Sequence, residues 1–169
     1  RDFIVAAPED LNGFFAFLTV PSGPPFPEAL HGKKVCGVVW CYTGDDAANV
    51  FAPVAAFGPP LLHGVHALPF PALQGVFDAI YPPGDQWYWR ADFVKELSDA
   101  AIAEHVKFAA KMPTPQSTMH LYPIDGAAHR VKSGDTAFSY REARWGAVFA
   151  GVSRDPADAP AISAWSKAY

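Results

Sequence analysis

Two stretches of this chain alternate with the period of a β-strand, and that alternation narrows the possible folds more than any other feature. In QWYWRADFV (86–94), Trp87, Trp89, Ala91 and Phe93 fall on one side and Tyr88, Arg90 and Asp92 on the other. In TMHLYPI (118–124), Met119 and Leu121 oppose Thr118, His120 and Tyr122. A strand with one apolar side and one polar-aromatic side belongs to a sheet that helices cover on one face. A helix separates the two stretches: Ser98 is placed to cap it, Asp99 sits in its first turn, Lys107 and Lys111 lie near its end, and Pro113 and Pro115 stop it. This pattern predicts that Trp87, Trp89, Met119 and Leu121 pack beneath helices. Tyr88, Arg90, His120 and Tyr122 are left on the opposite face.

The rest of the chain is read around this unit. Residues 1–33 read as a helix over Pro8 to Leu18, with Leu11, Phe14, Phe15 and Leu18 as its stripe, followed by a Pro/Gly linker from Val20 to Gly32. Lys34 to Gly44 reads as a strand apolar on both sides, hence central, with Trp40 and Tyr42 on the open face. A helix capped by Asp45 or Asp46 and ended by Gly58 follows, with Val50, Phe51, Val54 and Phe57 inward. A short helix over Pro71 to Ile80 buries Leu73, Val76, Phe77 and Ile80. After the strand ending at Ile124 come a turn at DGAA, a short strand in AHRVKS (128–133), the segment TAFSYR (136–141) leading into a long strand from Ala143 to Ser153, and a final helix from Pro160 to Ala168. Strand-helix-strand units recur at Lys34 to Leu68 and Gln86 to Ile124. The fold class expected is therefore α+β: one ferredoxin-like domain with a mainly antiparallel sheet of about five to seven strands and helices on one face. Its core is expected to hold Phe51, Val54, Trp87, Trp89, Ile102, Val106, Met119 and Leu121.

Composition removes several function classes. With 50% hydrophobic and 18% charged residues the 169-residue chain is globular rather than disordered. A net charge of -4 gives no attraction to phosphate backbones, so nucleic acid is not an expected partner. No apolar run approaches the ~20 residues of a membrane helix. Cys36 and Cys41 fall on opposite faces of one strand and cannot pair, which fits two reduced thiols and a cytoplasmic setting. His63 and His66 form an H-x-x-H in an extended segment that sends the rings apart, so no metal site is expected there. Neither a nucleotide-binding glycine loop nor a serine nucleophile elbow occurs.

The best polar constellation is His120 and Tyr122 on one strand beside Tyr88 and Arg90 on another. A positioned His or Tyr serves as a general base, and Arg holds an anion or a carbonyl. The same alternation describes a solvated or docking face. Three readings stay open on the residues alone: a catalytic face, a cofactor-free module that forms a sheet-to-sheet homodimer and binds a small apolar ligand, and a structural fragment. The start at Arg-Asp and the stop at Tyr169 point to a piece of a longer protein.

From about Lys34 onward, KKV through YTG, LPFPALQGVFDAIYPPGDQWYWRADFVKELSD, DGAAHRV and TAFSYR together resemble the substrate-binding part of FAD-linked oxidases of the vanillyl-alcohol-oxidase/berberine-bridge type, its bacterial branch in particular. The resemblance implies a single cap domain over residues 1–169. An FAD-binding domain of the same protein would lie outside this chain, and hydride would pass from a small organic substrate to flavin N5. Combined with the alternation, it places Trp40, Tyr42, Tyr88 and Arg90 on the substrate side of the flavin, with His120 or Tyr122 assisting proton removal and Arg90 orienting the substrate. It implies little or no FAD binding by this chain alone. Many plant members carry a catalytic carboxylate on the strand after a PF-x-HR-like segment. The matching strand here, Trp145 to Ser153, has no Asp or Glu.

Overall fold

The computed structural model describes residues 1–169, the side chains of Ala79 and Ile80 excepted. In chain order it consists of α1 (Asp2–Ala6), β1 (Leu11–Thr19), β2 (Lys34–Tyr42), α2 (Ala47–Ala55), α3 (Phe70–Gln74), β3 (Gln86–Val94), α4 (Asp99–Ala109), β4 (Thr118–Pro123), α5 (Ala127–Arg130), β5 (Trp145–Ser153) and α6 (Ala159–Ala168). A 3-10 turn, Gly75–Ile80, continues α3. The five strands form one sheet in the order β2-β1-β4-β5-β3, and every pairing is antiparallel. The α+β class and the antiparallel sheet agree with the sequence reading.

Residues paired across antiparallel strands share a face, so the register fixes both sides of the sheet. Phe15 opposes Leu121, Phe17 opposes Met119, and Met119 in turn opposes Phe149. This is the core side. Met119, Leu121, Trp145 and Phe149 pack there with Leu97, Met112 and Trp165, and α4 and α6 cover it. Met119 is fully buried, a contribution of about 1.5–3 kcal/mol by transfer alone. Ser98 caps α4 as expected, accepting from the Ala101 amide at 3.2 Å. Trp165 Nε1 donates to the Phe108 carbonyl at 3.1 Å and ties α6 to α4. Gly151 lets α6 approach β5 closely: a Cβ there would lie 2.7 Å from the Ile162 carbonyl oxygen.

Four expectations are corrected. Pro8 to Leu18 is not a helix; Leu11–Thr19 is strand β1, flanked by β2 and β4. A strand covered on both sides carries a continuous apolar run, GFFAFL, which periodicity alone does not distinguish from a helix. Gly13 marks the strand, since a Cβ there would meet the Val39 carbonyl oxygen at 2.2 Å. Second, β2 is an edge strand, not a central one. Third, AHRVKS is not a strand; its first residues complete the single helical turn α5. Fourth, the core list holds for Met119 and Leu121, while Trp89 and Val106 are exposed and Phe51, Val54, Trp87 and Ile102 are half-buried. In the short helix, Leu73 and Phe77 are half-buried and Val76 is exposed; Ile80 lies outside the described side chains.

Candidate functional site

The second side of the sheet carries Phe14 from β1, Trp87, Trp89 and Phe93 from β3, His120 and Tyr122 from β4 and Val148 from β5. The segment after α3 crosses part of it: Phe77 meets Phe14 edge-on at 5.6 Å, and Tyr81 lies 5.5 Å from Trp87. At the far end Phe93 stacks on Tyr140 at 4.7 Å. The rest is open, with Trp89 54% exposed and Tyr122 36%.

His120 and Tyr122 stand on the same face because they are two apart in one strand. The His120 Nδ1 and the Tyr122 hydroxyl are 2.9 Å apart, a hydrogen bond. Phe14 lies against both rings, 5.3 Å from each centroid. Burial lowers the His120 pKa to about 4, so the imidazole is neutral at neutral pH. The Tyr122 phenol is pushed up by burial and then by the neighbouring Tyr81. Tyr81 is itself raised by burial, an effect that the Thr118 hydroxyl partly offsets. That hydroxyl is buried and makes no hydrogen bond of good geometry. The site is thus a neutral imidazole-phenol pair, able to pass a proton along one short hydrogen bond and walled by aromatic rings.

The structure brings together two of the six residues read from the sequence. His120 and Tyr122 share the open face. Tyr88 and Arg90 point to the helix side, because Tyr88 pairs with Gly151 and Arg90 with Phe149. The Lys167 ammonium lies over the Tyr88 ring at 5.1 Å. Trp40 and Tyr42 also face the helices, where Phe51 meets both rings and Phe3 meets Trp40. The assignment of β3 was therefore off by one residue: the Trp side is open and the Tyr/Arg side is packed. On an edge strand Arg90 reaches solvent past the helices, so its charge gives no sign of which side is covered. Phe14, Phe77 and Tyr81 were not read as site residues. Correct alternation in β1 would have found Phe14; nothing local marks the other two.

His63 and His66 are exposed in an irregular segment. Among the described residues no group of three or more His, Cys, Asp or Glu could hold a metal ion, and no helix is long and apolar enough to cross a membrane. Cys36 and Cys41 are free thiols on opposite sides of β2, Cys36 opposing Phe17 and Cys41 opposing Asn12.

No family model matches the chain. An FAD-linked oxidoreductase of Dictyostelium discoideum is 28% identical over 115 residues, covering 67% of this chain and 25% of the relative. A solved berberine-bridge-enzyme-like protein of Arabidopsis thaliana superposes with a TM-score of 0.66 at 14% identity, over 96% of this chain and 36% of its own. Chitooligosaccharide oxidase gives 0.63 at 16%, over 98% and 37%. Aclacinomycin oxidoreductase gives 0.63 at 17%, over 92% and 31%. The chain thus spans a quarter of the curated relative's length and about a third of the solved structures'. In sequence over two thirds of its length, and in fold over nearly all of it, the chain resembles one part of the FAD-linked oxidoreductases that include the berberine-bridge-like proteins.

Proposed function

We propose that this chain is the substrate-binding part of an FAD-dependent oxidoreductase, and that its open sheet face turns toward a flavin held mainly by another domain of the same longer protein. The observation that carries the reading is the hydrogen-bonded His120–Tyr122 pair, set among aromatic rings on a face that this chain leaves uncovered. The face suits the ring end of a flavin with a substrate laid against it: it offers flat aromatic surfaces and neutral polar groups. Trp89 and Tyr122, both exposed on this face, are the residues placed to meet either one. When bound, the flavin supplies the hydride acceptor at N5.

This chain's own contribution is the proton. Oxidising an alcohol to a carbonyl removes a hydride from carbon and a proton from oxygen. A substrate hydroxyl donating to the Tyr122 oxygen lets the phenol pass its proton to His120 Nδ1 across the 2.9 Å bond, so the pair gains the proton that the substrate loses. His120 Nδ1 is the acceptor within hydrogen-bond reach of the phenol, and Phe14 lies against both rings. Because no carboxylate stands on β5, this pair takes the place that an Asp or Glu base would fill. Arg90 and Tyr88 have no part in the relay, since they face the helices.

The test is flavin reduction by substrate in the full-length protein. His120→Ala and Tyr122→Phe should each slow it by about 10²–10⁴, the usual contribution of a positioned general base. Unchanged rates in both variants would reduce this face to a docking surface. A flavin-free protein that dimerises sheet to sheet would favour the cofactor-free module instead.

A further inference from the structure

The helices do not cover their side of the sheet completely. Between α4, α6 and the edge strand β3 lies a cavity of about 280 Å³, on the face opposite the His120–Tyr122 pair. That is just below the ~300–1,000 Å³ of drug-sized ligand sites, so it fits a smaller molecule. Its floor and inner wall are apolar: Ala147 and Phe149 from β5, Val94 from β3, Leu97, and Ala101 from α4. Its rim carries both signs of charge, Arg90 and Lys167 together with Asp92 and Glu96. We propose that this cavity is a second binding site, for a small zwitterionic amino acid with an apolar side chain. The site lies apart from the open face and needs no flavin.

Three observations carry it. First, the rim charges are not spent on one another: among the described residues none of the four is in an ion pair. Arg90 and Asp92 are two apart in β3 and so share the helix side. The Lys167 ammonium lies over the ring of Tyr88, the next residue toward the Arg90 end on that side, 5.1 Å from its centroid. One Asp92 oxygen accepts the Phe93 amide at 2.7 Å, and the other has no hydrogen-bond partner among the described residues. A ligand carboxylate near Arg90 and Lys167 and an ammonium near Asp92 and Glu96 satisfy both signs. A ligand with one charge meets two like charges as well as two opposite ones. Second, His105 adds an acceptor to the lining. The Tyr169 hydroxyl has one proton and gives it to the His105 carbonyl at 3.2 Å, so in its 3.1 Å contact with Nδ1 the imidazole donates. Nε2 keeps its lone pair and has no partner among the described residues, and an ammonium N–H is a donor that fits it. Third, the floor is held in place without using the cavity. Phe149 is buried and stacks on Tyr169 at 4.1 Å, and the Ser166 hydroxyl donates to the Tyr88 carbonyl at 3.1 Å. An apolar side chain laid on this floor leaves water without stripping a polar group of its partner.

The experiment uses the full-length protein and three probes: phenylalanine, phenylacetate, which lacks the ammonium, and phenethylamine, which lacks the carboxylate. Binding is measured by ligand-observed NMR titration. Phenylalanine should bind, and each of the other two should bind about three- to fivefold more weakly, the usual worth of a solvent-exposed ion pair. Arg90→Ala should weaken phenylalanine by about the same factor and leave phenethylamine binding at least as well as before. Ala101→Trp fills the cavity and should abolish binding. Arg90→Ala, at an exposed edge position, still reads the site where that larger residue disturbs α4. Trp89→Ala, on the opposite face, should leave phenylalanine binding unchanged. Failure of phenylalanine to bind at up to about 20 mM overturns the proposal, the cavity then being filled by another part of the longer protein or too shallow to hold a ligand. So does equal binding of the three probes, or indifference to Arg90→Ala. Loss of binding in Trp89→Ala but not in Arg90→Ala overturns it too, by putting the ligand on the open face.

Discussion

The protonation state of His120 decides whether the open face works as proposed, and lowering the pH is the perturbation that reads it. Burial among Phe14, Tyr122 and the β4–β5 strands holds its pKa at about 4 against an ordinary 6.5. The folded state therefore binds this proton later than the unfolded state does. Between pH 6.5 and 4 the unfolded chain carries more protons, so stability is complete above the unfolded pKa and falls as the pH drops through this window. At 1.36 kcal/mol per unit the largest loss is about 3 kcal/mol. Water reaching the open side makes that an upper limit. At pH 5 roughly a tenth of His120 is protonated, where an unperturbed imidazole would be almost fully so. The assay is an NMR titration of the imidazole carbon-bound protons, assigned by loss of the signal in His120→Gln. A midpoint near 4 supports the argument, and the acid limb of flavin reduction should then lie near 4 as well. A midpoint at 6 or above would refute it, since the imidazole would then be solvated and Phe14 would not shield the pair.

Further outcomes follow from packing and connectivity. Met119→Ala, at a fully buried position on the central strand, should cost about 2–5 kcal/mol in chemical denaturation. Gly151→Ala should cost about 1–3 kcal/mol, because its Cβ would lie 2.8 Å from both Ile162 Cβ and Ser166 Oγ and push α6 from the sheet; an unchanged unfolding midpoint would contradict that contact. Trp89→Ala should change stability by less than about 1 kcal/mol while weakening substrate binding, the reverse of Met119→Ala. The chain expressed alone should purify colourless, and stoichiometric flavin absorbance would show that it holds the cofactor unaided.

Much of the candidate site was legible because alternation in β4 is unambiguous. Met119 and Leu121 are apolar, Thr118, His120 and Tyr122 are not, and the apolar pair belongs inside. The same logic failed in β3. There both sides are amphipathic: indoles tolerate an uncovered surface that a ligand or second domain meets, and an edge strand lets Arg90 reach solvent from the packed side. In β1 the run GFFAFL satisfied helical spacing as readily as strand spacing, which hid Phe14.

By itself the sequence determined the element types over most of the second half, the Ser98 cap, the antiparallel α+β class, the hydrogen-bondable spacing of His120 and Tyr122, and a resemblance carried by phrases scattered from Lys34 to Arg141. Those are properties of local periodicity and local chemistry. Which strands lie at the edges, which side of β3 is covered, and the convergence of Phe14, Phe77 and Tyr81 on the His–Tyr pair were decided by tertiary structure. Strand order and register arise from pairings between residues distant in the chain. A one-residue shift exchanges the two faces while leaving the alternation itself unchanged.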